Sequence, residues 1–259
     1  MKKFAVLISI LILLSSCKND KKKQVRSAQP AEFDVTHVVL DSSNLSACEN
    51  GDCPRIKVDF IRLKGDTALS NSFNRKNTDD LLTIFNIDQD KPKADDVKDA
   101  VNGFVNDYFT FKKDYPESKV SYEATVDQEI KSKNKNTLVL KTSYYLFTGG
   151  AHGYGGVHFL NFDAQSGKYL TAEDMISDIP ALTDFVEKKF RQKYNIPPNV
   201  DINSQGFFFD DGKFALPENM ALTDNELILL YNPYEAASYS EGQIRFVFPR
   251  KTVEKWLKY

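Results

Sequence analysis

Cysteine is scarce in this chain of 259 residues, with Cys17, Cys48 and Cys53 the only three. Tryptophan is limited to Trp256, and histidine to His37, His152 and His158. Positive charge is not in excess: 34 Lys and Arg stand against 36 Asp and Glu. That balance removes the electrostatic case for a nucleic-acid partner. No apolar run approaches the ~20 residues needed to cross a bilayer. No G-x-S-x-G elbow occurs, and no Ser/His/Asp spacing singles out a catalytic triad. Internal repeats are lacking too. Aromatic residues, by contrast, are plentiful at 12%, with 19 Phe and 12 Tyr, enough to build a substantial core.

The first residues carry a signal. Met1-Lys2-Lys3 is cationic, Phe4 to Leu14 is apolar apart from Ser9, and Ser15 and Ser16 are small. A positive start, a short apolar core and a small-residue exit are the parts of a secretory signal peptide, expected over residues 1–16. Leu14-Ser15-Ser16-Cys17 looks like a lipobox, where Cys17 becomes the lipid-bearing first residue of the mature protein. One acyl chain anchors only marginally, and stable anchoring takes at least two. The expected location is therefore the bacterial cell envelope, lipid-anchored, either on the outer membrane facing the periplasm or at the cell surface. Residues 17–32 are polar and basic, too poor in apolar surface to offset chain entropy, and read as a tether.

Removal of the signal takes Lys2 and Lys3 with it. Lys and Arg fall to 32 against 36 carboxylates, a formal charge of about −4. Cys48 and Cys53 are then left as a pair in an oxidising compartment. Asn50-Gly51 between them is a strong hairpin-turn signal. A turn there sets Cys48 opposite Cys53 in a non-hydrogen-bonded pair, with Cα atoms ~4.5 Å apart and within disulfide reach. A metal site is the rival for the two thiols, but the spacing offers no second pair of ligands.

Patterning along the chain gives an α+β fold, an antiparallel sheet or sheets with packed helices, in two parts over 33–117 and 118–259. Strands are expected at Phe33–Leu40 and Arg55–Leu63. Thr78 caps a short helix running to Phe85. Val97, Val101, Phe104, Val105 and Tyr108 form the apolar stripe of a helix over Asp95–Lys113. The alternation of Val120, Tyr122, Ala124 and Val126, then Thr137–Phe147 and Val157–Asp163, predicts an antiparallel meander. Thr171 caps another short helix, and Pro180 opens a longer one with Leu182, Phe185, Val186, Phe190 and Tyr194 inward. Late strands are expected at Phe207–Leu216, Glu226–Tyr231 and Gln243–Phe248, before a terminal helix over Thr252–Tyr259 anchored by Trp256.

Two motifs carry a family resemblance. Tyr144 to Gly153 reads YYLFTGGAHG, followed by NFDAQSGKYLTAEDM from Asn161. Tyr231 to Gly242 reads YNPYEAASYSEG, ahead of an apolar strand and Pro249. Together they resemble the C-terminal extracellular domain of RsiV anti-sigma factors, a module that also accompanies the peptidoglycan deacetylase PdaC and stands alone in envelope lipoproteins. The resemblance covers roughly 118 to 259; residues 33 to 117 match the associated N-terminal half only loosely. It implies binding rather than chemistry, because RsiV-type receptors recognise lysozyme with this region. A cytoplasmic sigma-binding segment and a deacetylase domain after Tyr259 are not expected, and neither is sigma-factor control.

The candidate ligand-binding residues are His152, Tyr154, Tyr234, Glu235 and Tyr239. Gly149-Gly150-Ala151-His152-Gly153 reads either as a ligand-contacting loop or as a turn that the fold itself requires. The H-x5-H spacing of His152 and His158 keeps to neither one helix face nor one strand face, so no metal and no cofactor are expected. Asp79-Asp80 and Asp210-Asp211 suit caps and turns better than paired catalytic carboxylates. The leading expectation is a non-catalytic envelope binding protein for lysozyme-like proteins or peptidoglycan. The rival is a cell-wall glycan hydrolase or esterase whose carboxylates the sequence does not single out.

Overall fold

The computed structural model describes residues 33–48, 52–87 and 94–259. The signal peptide, Cys17, the tether and the Asn50-Gly51 turn lie outside the described residues. The fold is α+β, with a five-stranded sheet in the order β1-β2-β3-β4-β5 and a three-stranded sheet in the order β6-β7-β8.

The large sheet contains β1 (Val35–Asp41), β2 (Arg55–Leu63), β3 (Glu123–Lys133), β4 (Thr137–Phe147) and β5 (Tyr154–Asp163). The meander β3-β4-β5 is antiparallel. The sheet is not antiparallel throughout, because β2 pairs parallel with β3 from Arg55–Glu123 to Asp59–Asp127. Parallel neighbours need a crossover of a dozen or more residues, and helices α1 (Ala68–Phe85) and α2 (Val97–Asp114) supply it. The boundary read at 117–118 falls between α2 and β3, two elements of this one sheet-and-helix layer.

Helix α1 begins eleven residues before the expected start. Its cap is Thr67, whose side chain accepts from Ser70 N while Ser70 Oγ accepts from Thr67 N. Its first half is rich in Ser and Asn, poor helix formers that hide the apolar period. Those amides are used against the sheet. Beyond Asp59 the β2–β3 ladder stops, and side chains take over the exposed backbone groups. Asn74 bonds both N and O of Leu63, Gln128 accepts from Ile61 N, and Asn77 donates to Ile61 O. Gln128 also donates to Asn77 and Thr142, which closes a buried network with its polar groups paired.

The C-terminal part packs α4 (Ile179–Tyr194) on β6 (Met220–Leu222), β7 (Glu226–Tyr231) and β8 (Ile244–Pro249) around Phe190, which is fully buried. The segment Phe207–Leu216 is not a strand. Phe207, Phe209 and Phe214 are core residues around Phe190, and Asp211 and Gly212 take positive φ of 51° and 65° in a 3-10 turn between them. Side-chain alternation there reflects burial without a ladder. The short helix α3 spans Ala172–Met175. The terminal helix is also shorter than expected. α5 covers Arg250–Val253 and a 3-10 turn follows at Glu254–Trp256, after which Leu257 bridges to Ile176.

Cys48 and Cys53 form a disulfide, with Cα atoms 5.4 Å apart. They are not a cross-strand pair. Cys48 ends a 3-10 turn at Ser46–Cys48, and the β1–β2 ladder has already closed at Asp41–Lys57. Among the described residues no helix is long and apolar enough to cross a membrane.

Candidate functional site

The two sheets meet along β5, an edge strand whose outward backbone groups would otherwise be open. Asn232 closes the first of them: its Oδ1 accepts from Val157 N at 2.9 Å and its Nδ2 donates to Val157 O at 3.0 Å. Asn219 Oδ1 accepts from Phe159 N, and Leu170 N donates to Asn161 O. Asn161 in turn bonds Met220 O and Leu222 N. This seam fixes the C-terminal loops against the start of β5 and sets the walls of a groove.

At one end of the groove is an exposed aromatic ledge. The ring of His152 stacks on Tyr239 with centroids 3.9 Å apart and planes 11° from parallel. Tyr234 lies beside both, its hydroxyl 3.4 Å from His152 Nε2. His152 Nδ1 is 3.1 Å from Gly153 O, so the imidazole is held by its own loop. Tyr234 is half exposed and has a positive φ of 71°, an uncommon conformation for a non-glycine residue. Its backbone is pinned there by the bond from Tyr234 N to Ala237 O.

The glycines explain how β5 comes so close. A Cβ on Gly153 would lie 2.5 Å from Leu146 O and from the Tyr145 ring. A Cβ on Gly156 would lie 2.7 Å from Tyr144 Oη and 2.9 Å from Asn232 Oδ1. Gly149 and Gly150, with φ of 103° and 90°, make the turn itself.

Two clefts flank β5. One, of about 520 Å³, is bordered by Ile84, Tyr144, His152, Tyr154 and His158. The other, of about 840 Å³, is bordered by Lys76, Asp80, His158, Tyr169, Phe208 and Glu235. Both fall in the ~300–1,000 Å³ range of small-ligand sites. His158 borders both. Its Nδ1 is 2.9 Å from Asp80 Oδ1, and its ring meets Tyr144 edge-on at 5.0 Å. Burial, with Tyr154, Asp80 and Glu235 nearby, pushes the Tyr144 phenol far above its usual range, so it is protonated throughout the neutral region. Tyr169 is raised in the same direction, first by burial and then by the carboxylates of Asp80 and Glu218.

Of the five candidate residues, His152, Tyr234 and Tyr239 share the ledge, and Tyr154 lines the smaller cleft, half exposed beside Tyr144 at 5.9 Å. Glu235 borders the larger cleft, but its carboxylate turns back to accept from Asn232 N and Nδ2. The three histidines do not converge. His37 pairs with Asp59, His158 with Asp80, and His152 stacks on Tyr239. Among the described residues no three His, Cys, Asp or Glu side chains are grouped to hold a metal. Sequence reasoning missed Lys76, set Asp80 aside as a cap or turn residue, and reached Tyr144 and Tyr169 only as parts of motifs. Asp80 is 78 positions from His158, and a separation of that length leaves no local signal.

Two families match parts of the chain. Residues 47–154 match "Deacetylase PdaC", and residues 170–251 match "Protein of unknown function (DUF3298)". The larger cleft is bordered by residues of both matched segments. Among solved structures, a DUF3298 family protein from Pseudomonas aeruginosa is similar at 17% identity and a TM-score of 0.64, covering 88% of this chain and 96% of that one. A DUF3298 family member from Bacteroides fragilis is similar at 22% identity and a TM-score of 0.63, covering 88% and 94%. At these identities the likeness is one of fold. No curated protein matches the chain.

Proposed function

We propose that this chain is a non-catalytic, lipid-anchored binding protein of the bacterial envelope, RsiV-like in its C-terminal part, whose groove holds a peptidoglycan-type glycan. The observation that carries this reading is the stack of exposed His152 on partly buried Tyr239, with exposed Tyr234 beside it, next to a cleft of about 520 Å³. Aromatic faces supply large, stiff contact area with a polar tip, which suits the mixed apolar and hydroxylated faces of a sugar ring. A cleft of this size suits a chain of rings better than the broad patch of ~800 Å² per partner that a folded protein ligand uses. Lipid attachment at Cys17 would keep the chain at the membrane, within reach of the cell wall.

The test is co-sedimentation of the full chain, in detergent, with purified peptidoglycan, beside a lysozyme pull-down and a muropeptide-release assay. Retention on peptidoglycan without release of fragments is the expected result. Retention on lysozyme alone would replace the glycan with a protein ligand. The second reading, a hydrolase or esterase on the same glycan, draws on the Asp80–His158 pair, since an imidazole oriented by a carboxylate is the form of a general base. Release of fragments or acetate by the wild type, lost in His158→Ala, would establish it instead.

A further inference from the structure

We infer that the groove continues past His158 into a second subsite, formed by Lys76, Asp80, His158 and Tyr169, that takes an N-acylated ring of the glycan chain. This deepens the glycan reading and rests on it. The geometric reason for continuity is that His158 borders both clefts, so a chain lying in one runs over its ring into the other.

The chemistry of the subsite follows from the partners already made. A carboxylate only accepts, so the contact between His158 Nδ1 and Asp80 Oδ1 puts the proton on Nδ1. In the neutral ring Nε2 is then an acceptor, and among the described residues the His158 ring makes no other hydrogen bond. Lys76 sits one turn before Asp80 on α1, with Nζ 4.6 Å from the centre of the Tyr169 ring. The subsite therefore offers one acceptor, one cationic donor and one aromatic face. An N-acyl group has the complement of these: an N–H for His158 Nε2, a carbonyl for Lys76 and a methyl for Tyr169. Burial keeps the Tyr169 phenol protonated, so the face carries no negative charge against the carbonyl.

Asp80 adds a second observation. Its Oδ2 is buried and has no hydrogen-bond partner among the described residues, while the whole side chain is 13% exposed at the wall of the larger cleft. A desolvated carboxylate oxygen left unpaired is unfavourable. That oxygen is covered by the protein itself, so the part of Asp80 in the subsite is to orient the His158 ring through Oδ1.

The experiment is calorimetric titration of the full chain, in detergent, with chitobiose, chitotetraose and cellotetraose. Chitotetraose should bind at least about tenfold more tightly than chitobiose, and the acetamido-free cellotetraose should show no comparable gain. His158→Ala should abolish the gain with chain length. Lys76→Met keeps the stem packed on Tyr169 and should reduce the same gain, with a melting curve confirming that the variant is folded. Equal affinity for chitobiose and chitotetraose, an equal gain with cellotetraose, or a full gain retained by folded Lys76→Met would overturn the subsite while leaving the ledge intact. Failure of all three sugars to bind the wild type would remove the glycan reading itself, and the subsite with it.

Discussion

Asn232 replaces a missing β-strand for Val157: one side-chain amide bonds both the N–H and the C=O of that residue, 75 positions away. The same amide touches Glu235 and Gln243, so the loop bearing Tyr234 and Tyr239 is fixed to the edge of the large sheet by one residue. The aromatic ledge inherits its rigidity from that bond. Asn232→Ala leaves Val157 N–H without its partner, whereas Val157 O keeps Asn219. A loss of about 2–3 kcal/mol is expected, measured by chemical denaturation. Glycan retention should fall with it, because the ledge is no longer held together. A variant of unchanged stability would show that the seam is not supported here.

The β4–β5 turn predicts a ranking among its glycines. Gly153→Ala drives a methyl into Leu146 O and the Tyr145 ring, both within 2.5 Å, and no flexible neighbour can give way at the carbonyl. Gly150→Ala meets nothing within 4 Å but must hold a φ of 90°. Strain of that second kind is of order 1–3 kcal/mol. Gly153→Ala should therefore be the more destabilising of the two in thermal melts, and Gly150→Val should still melt below the wild type.

Much of this architecture was legible in the sequence. β4 over Thr137–Phe147 and β7 over Glu226–Tyr231 are found at the expected residues, because buried central strands carry long apolar runs bounded by clear turns. The start of α1 was not legible. Its inward Asn74 and Asn77 are polar residues used as backbone surrogates for β2, and no periodicity rule counts an asparagine as a core position. The parallel β2–β3 pairing is a long-range property of the same kind. For the site, glycine spacing and clustered tyrosines pointed to the ledge. Asp80 and His158 meet only after α1 has docked on the sheet, so their partnership is visible only in three dimensions.

The disulfide gives a third prediction. Cys48→Ser with Cys53→Ser should lower stability by about 2 kcal/mol, as expected for a loop this short. The wild-type chain exported to an oxidising compartment should take up no alkylating reagent at these two positions without reductant. Labelling of both, read by mass spectrometry, would contradict the pairing.

Asp163 should contribute to acid sensitivity. Burial pushes its carboxyl up, but hydrogen bonds from Ser166 and Gln165, with Tyr259 Oη as a further donor, outweigh burial and bring it below the usual aspartate range. A depressed carboxyl stabilises the fold fully above the unfolded value of about 3.9, and that stabilisation is lost as pH falls through the folded value. Asp163→Asn should thus melt well below the wild type at pH 7, with the difference shrinking toward pH 2. A difference independent of pH would mean that the ionised form is not what the turn requires.

The most direct measurement is equilibrium binding of the full chain to peptidoglycan for the wild type and for the double variant His152→Ala with Tyr239→Ala, with melting curves for both. His152 is exposed and Tyr239 partly buried, and neither belongs to the core, so the variant should melt within a few degrees of the wild type while losing at least about tenfold in affinity. Native stability with undiminished binding would contradict the assignment of this ledge as the ligand-contacting surface.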